Sequence, residues 1–102
     1  ERKIMLAAHL RIYTINKGFI DSWITMFHEE LIPIMNDAGM KVESTWVNME
    51  KSQFIWIRSY GDSFNNYDAM TEAYKGCDWW KANVDRVRNH IAHMEVIEIQ
   101  SS

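Results

Sequence analysis

Hydrophobic and polar positions alternate with period two in two stretches of this chain, Leu6–Ile15 and Gln53–Tyr60. That period marks β-strands with two unlike faces. In the first stretch Leu6, Ala8, Leu10 and Ile12 share one parity, and His9, Arg11 and Tyr13 share the other. In the second, Ile55 and Ile57 oppose Phe54, Trp56, Arg58 and Tyr60. Each strand therefore sets a plain aliphatic face against a face of rings and arginines. Neither face suits water. One needs an apolar cover, and the other reads as the wall of a pocket for something flat or negatively charged.

Elsewhere the period changes. Gly18 breaks the first strand, and Phe19–Met35 has helical spacing, with Phe19, Trp23, Phe27, Leu31 and Ile34 in one arc. Pro33 is expected to kink or close the last turns, and Ala38-Gly39 to stop the helix. Met40–Met49 reads as a strand, joined to Gln53–Tyr60 by a connection of hairpin length, Glu50-Lys51-Ser52. Gly61-Asp62-Ser63 opens a second helix, with Asp62 or Ser63 as its N-cap and Tyr67, Met70 and Tyr74 along one stripe. Gly76 ends it. Asp78 is placed to cap a third helix carrying Trp80, Val84, Val87 and Ile91, and Met94–Gln100 closes the chain as a strand.

The order strand, helix, strand, strand, helices, strand, with right-handed crossovers, predicts an α+β fold of ferredoxin-like topology. Four antiparallel strands form one sheet, with helices on one face. Both faces of the two central strands are largely apolar, so helices on one side leave a patch larger than soluble monomers tolerate. A homodimer packed sheet against sheet is the expected remedy.

Composition narrows the classes. At 102 residues one domain, 1–102, is expected, and 47% hydrophobic with 13% aromatic content excludes disorder. A net charge of −3, with Lys17, Lys41, Lys51, Lys75 and Lys81 scattered, argues against a nucleic-acid partner. The single Cys77 leaves no disulfide framework or cysteine zinc site and fits a reducing, cytoplasmic setting. No apolar run approaches the roughly 18 residues of a membrane span. The basic start lacks the long apolar core of a secretory signal, so none is expected there.

Leu10-Arg11-Ile12-Tyr13-Thr14-Ile15 running into Lys17-Gly18, then Leu31-Ile32-Pro33, Ile57-Arg58-Ser59-Tyr60 with Asp62-Ser63, and Asp78-Trp79-Trp80-Lys81 follow one another along nearly the whole chain. In that order and spacing they resemble the NIPSNAP family of dimeric α/β-barrel proteins. The resemblance implies the dimeric barrel. It implies little about chemistry, because the wider fold group includes cofactor-free monooxygenases, polyketide cyclases, haem-degrading enzymes and proteins without known activity.

Arg11 and Arg58 fall on the central strands, on the parity of Tyr13, Trp56 and Tyr60. Guanidinium groups among rings need an anionic or π partner. Either they clamp a carboxylate or enolate, or they form ion pairs with Glu43, Glu95 or Glu98. Glu30 falls inside the apolar arc of the first helix, unlike Glu29, and is a candidate general base or acid, or an orienting partner for an arginine. The other reading of Glu30 is a rim residue whose head reaches solvent. His9 is placed to line a pocket mouth, and Trp46 and Trp56 to flank a ligand if they are cross-strand neighbours. His90 and His93 need not converge, and no metal site is expected.

The expected function is therefore binding of a small molecule by a homodimer. The preferred form is a cofactor-independent enzyme acting by proton transfer, cyclisation or oxygenation on an aromatic or polyketide-like acid. In it Arg11 and Arg58 stabilise negative charge, Tyr13 or Glu30 moves a proton, and Trp46, Trp56 and Tyr60 stack on the substrate. The alternative is a non-catalytic metabolite-binding or assembly module. A third, haem binding, would need a His or Asn above the iron.

Overall fold

The computed structural model describes residues 5–102, so the expected lack of a signal over residues 1–4 lies outside it. Strand β1 spans Ala7–Ile15, β2 Lys41–Val47, β3 Gln53–Ser59 and β4 Ile91–Gln100. They form one antiparallel sheet in the order β2-β3-β1-β4, the ferredoxin-like order. Helices α1 (Ile20–Met26), α2 (Ile32–Asp37), α3 (Tyr67–Gly76) and α4 (Asp78–His90) cover one face. No helix among the described residues is long and apolar enough to cross a membrane.

The alternation in β1 and β3 sorts the two faces as expected. Tyr13, Phe54, Trp56 and Arg58 turn towards the helices and are buried. On the opposite face Leu10 lies across from Ile57 and Ile12 from Ile55, all half-exposed. Trp23, Met26, Phe27, Leu31 and Met35 meet the ringed face. The Phe27 ring lies 4.7 Å from Phe54 and 4.8 Å from Trp56, both at steep angles that suit the ring quadrupoles.

The long first helix is not uniform. Between α1 and α2, Phe27–Leu31 forms a π-helical turn in which the Ile32 N–H donates to the Phe27 carbonyl, five residues back. Pro33, in the first turn of α2, supplies the reason. Its ring has no N–H and crowds the carbonyl four residues earlier, and the widened turn relieves that conflict while the chain direction continues. Gly39, at φ +92, then takes the left-handed conformation that ends the segment.

Three boundaries differ from expectation. Helix α3 begins at Tyr67, after Asn66 and without a side-chain cap, so neither Asp62 nor Ser63 caps it. Helix α4 is capped by Cys77, whose Sγ accepts from the Trp80 N–H at 3.4 Å, one residue before the expected Asp78. Strand β4 starts at Ile91, directly from α4, which takes Ile91 out of the helical stripe.

Candidate functional site

Between the ringed face and helices α3 and α4 lies a cavity of about 190 Å³. Strands β1 and β3 supply Arg11, Tyr13, Trp56 and Arg58 to its wall. The first helix adds Trp23, Phe27 and Leu31. The cover comes from α3 (Tyr67, Thr71, Tyr74, Lys75) and α4 (Trp80, Val87, Arg88), and β4 adds Ile91 and Met94. Four of these residues are cations and none is an acid.

Arg58 is only 4% exposed. Its Nε–H donates to the Tyr60 hydroxyl at 2.8 Å, and a terminal nitrogen reaches the Met35 sulfur at 3.7 Å. The guanidinium carbon sits 5.4 Å from the ring centres of both Trp56 and Tyr60 and 5.8 Å from Tyr74. Arg11, half-buried, donates to the Tyr13 hydroxyl at 3.0 Å and lies 5.7 Å from Trp56. Aromatic faces attract a guanidinium, but they do not neutralise it.

The expected ion-pair alternative fails on geometry. Glu43 accepts from Ser59 and faces Lys41, Glu95 faces His93, and Glu98 lies 4.0 Å from His9. Neither Arg11 nor Arg58 has a carboxylate within 4.0 Å among the described residues. A buried and a half-buried cation without a counter-ion are costly in any protein.

The unpaired polar atoms point the same way. Among the described residues, the buried side-chain atoms without a hydrogen bond are Arg11 Nε, Trp23 Nε1, Trp56 Nε1 and Thr71 Oγ1. All four belong to residues that line the cavity. Three of them can only donate, so the partner they lack is an acceptor.

Behind the arginines a hydrogen-bonded chain holds them in place. Tyr60 accepts from Arg58, so its proton is available to His9 Nδ1, 2.6 Å away. Arg11 also approaches that nitrogen at 3.4 Å and can only donate, which makes Nδ1 the acceptor and puts the ring proton on Nε2. Burial, reinforced by Arg11 and Arg58, depresses the His9 pKa to about 4, so the ring is neutral at pH 7. Burial also pushes the Tyr60 phenol up, against the pull of Arg58, and keeps its proton on.

The placement of the sequence candidates is mixed. Arg11, Tyr13, Trp56 and Arg58 converge on the cavity. His9 and Tyr60 do not line it. Both are buried, with His9 stacked on Phe64, and they act on the arginines from behind instead of touching a ligand. Trp46 is misassigned to the pocket. It pairs with Ile55 and shares that residue's outward face, 63% exposed, while Trp56 pairs with Thr45.

Glu30 is likewise corrected in its catalytic reading, and its rim reading holds. It lies on the π-helical turn facing α4, accepts from Arg86 at 2.9 Å and from the Trp79 indole at 3.3 Å, and stays outside the cavity. The Arg86 bond holds its carboxyl below the usual range, against the opposing effect of burial. His90 and His93 have separate partners. His90 Nδ1 donates to the Arg86 carbonyl and its Nε2 accepts from Ser22, which makes it structural. No His or Asn lines the cavity, the residue the haem reading asks for above the iron.

Sequence reading missed Thr71, Lys75 and Arg88. A signal did exist. Tyr67, Thr71, Tyr74 and Lys75 recur at i, i+4, i+7 and i+8, one face of α3, though only Tyr67 and Tyr74 are aromatic enough to draw notice.

Fold and site together define a ferredoxin-like α+β protein with a cationic, ring-lined cavity under its helices. More narrowly, the fold is NIPSNAP-like. The chain superposes on a NIPSNAP family protein from Agrobacterium tumefaciens with a TM-score of 0.88, at 18% identity, over 100% of this chain and 90% of that one. It is also similar to a protein of Nitrosomonas europaea assigned provisionally as an antibiotic biosynthesis monooxygenase (TM-score 0.70, 8% identity, 99% and 94% covered). A dimeric ferredoxin-like protein from an uncultured marine organism matches with TM-score 0.70 and 10% identity over 96% and 89%. No family model matches the sequence, and no curated protein matches it.

Proposed function

We propose that this protein binds a small, flat organic anion, an aromatic or polyketide-like acid, with its carboxylate or enolate on Arg11 and Arg58 and its ring against Trp56. The observation that carries the proposal is the distribution of unsatisfied groups: the uncompensated arginines and every unpaired buried polar side-chain atom of the described residues belong to one cavity. An acceptor-rich anion satisfies all of them at once.

The reaction we favour is cofactor-independent proton transfer, cyclisation or oxygenation. Tyr13 is the proton donor in this scheme. Its hydroxyl accepts from Arg11, which leaves its own proton for the ligand. Arg11 and Arg58 hold the negative charge that develops as an enolate forms. His9 and Tyr60 are positioning residues, because they keep Arg58 aimed without reaching the cavity.

The protein acts in this reading as a cytoplasmic homodimer, its outward sheet face sealed against a second copy. The exposed Trp46 and Ile97 beside Leu10, Ile12, Ile55 and Ile57 support that arrangement, as does the dimeric ferredoxin-like relative in fold.

A purely binding role is the competing reading, and one observation favours it: the cavity lining includes neither a carboxylate nor an imidazole to serve as a base. Titration with salicylate and with neutral salicylamide, followed by quenching of Trp23, Trp56 and Trp80, tests the common part of both. Salicylate should quench and salicylamide should not, and Arg58→Met should abolish the difference while the fold is retained. Equal binding of the two would sink the proposal. Turnover of a bound acid, lost in Tyr13→Phe, separates enzyme from carrier.

A further inference from the structure

The cavity carries its cations in two tiers. Arg11 and Arg58 form the floor, on adjacent central strands, with Arg58 fully buried. Lys75 and Arg88 lie on the helices that cover the cavity, and both are exposed to solvent while still lining it. Neither has a carboxylate within 4.0 Å among the described residues. The contrast with the rest of the chain is informative. The chain has 14 acidic residues against 11 basic ones, yet the lining holds four cations and no acid. Arg86, two residues before Arg88 and on the other flank of α4, is paired with Glu30.

An exposed cation alone implies nothing, since water solvates it. Four like charges around one hollow repel one another, and an arrangement that leaves acids elsewhere and excludes them here favours a ligand with more than one negative charge. The floor already accounts for one acid group under the proposed function.

We infer that the ligand carries two acid groups: one seated on Arg11 and Arg58, and a second, separated from it by the flat body of the molecule, held at the mouth by Lys75 and Arg88. This inference rests on the proposed function for its first charge and adds the second. The outer group is a carboxylate or a phosphate ester, both of which suit a lysine and an arginine in partial contact with water. Tyr67, Tyr74 and Trp80 line the same cavity and supply apolar surface for the body of the ligand.

The test compares benzoate, terephthalate and 4-carboxyphenyl phosphate on the wild-type protein and on the Lys75→Gln/Arg88→Gln double variant, by calorimetry at low and at physiological salt. Both changes are on exposed side chains, so folding is expected to survive and is checked by circular dichroism. Terephthalate, and still more the phosphate with its extra charge, should bind the wild type about tenfold or more tighter than benzoate at low salt, the scale of two partly exposed charge pairs. That ratio should fall towards one in the double variant. Preference for terephthalate over the phosphate, or the reverse, identifies the outer group. If benzoate binds but the two doubly acidic ligands bind no better, or keep their advantage in the double variant, the second acid group is wrong and the proposed function stands. If none of the three binds, both fall.

Discussion

The Nε–H of Arg58 donates to the hydroxyl of Tyr60, 2.8 Å away and two residues on, just past the end of β3. Through that oxygen the buried guanidinium is tied to His9 on β1, so two central strands share one polar connection beneath an aromatic layer. Removing the oxygen leaves the buried Arg58 Nε without its acceptor and His9 Nδ1 with only the long contact to Arg11.

Tyr60→Phe should therefore destabilise the protein by about 1–3 kcal/mol, the usual cost of orphaning buried polar groups. It should also weaken salicylate binding, because Arg58 loses its aim. Urea denaturation and the fluorescence titration read the two effects separately. An unchanged midpoint with unchanged affinity would show that the connection holds nothing.

His9 predicts the pH response. Its pKa is depressed to about 4 in the fold, with burial as the main cause, against about 6.5 unfolded. Between those values the unfolded chain binds a proton that the native state refuses, so stability rises with pH across the window and falls as pH drops from 6.5 to 4. The loss at pH 4 is about 3 kcal/mol in order of magnitude. Chemical denaturation at pH 4 to 7 should show His9→Gln with a flatter dependence than the wild type. Parallel curves would rule the assignment out.

Glu30→Gln should cost less than about 1 kcal/mol, because its bond to Arg86 is half-exposed and screened. Salicylate affinity should not move, since the side chain stays outside the cavity. A large loss of affinity would return Glu30 to the list of ligand contacts.

On the outward face, Ile57→Glu or Trp46→Glu places a charge where the second copy is proposed to pack. Sedimentation of the wild type should give twice the 12.1 kDa chain mass, and either variant should shift towards the single mass. A wild type that sediments at 12.1 kDa at micromolar concentration would overturn the dimer.

The misplacements have physical reasons. Side-chain parity within one strand does not say how that parity meets its neighbour's. In β2 the register with β3 slips between Val42 and Ser44, where Glu43 bulges, so Trp46 arrives opposite Ile55. The wheel that put Glu30 in the apolar arc assumed an α-helical advance per residue through Phe27–Leu31. The π-helical turn ahead of Pro33 changes that advance, and Glu30 swings towards α4. His9 kept its predicted face but met Phe64, Tyr60 and Tyr67 from the far side of the cavity, a contact set by how the segment after β3 folds back.

By itself the sequence determined the two-faced strands, the ferredoxin-like order and the meeting of Arg11, Tyr13, Trp56 and Arg58, because these rest on local period and adjacent-strand parity. Only the tertiary structure decided that no carboxylate reaches those arginines, that Lys75 and Arg88 stand over them, and that Glu30 and Trp46 lie elsewhere. Such facts depend on register, a bulge and a widened helical turn. Each shifts a side chain by a whole face or a fraction of a turn, and none leaves a periodic trace in the chain.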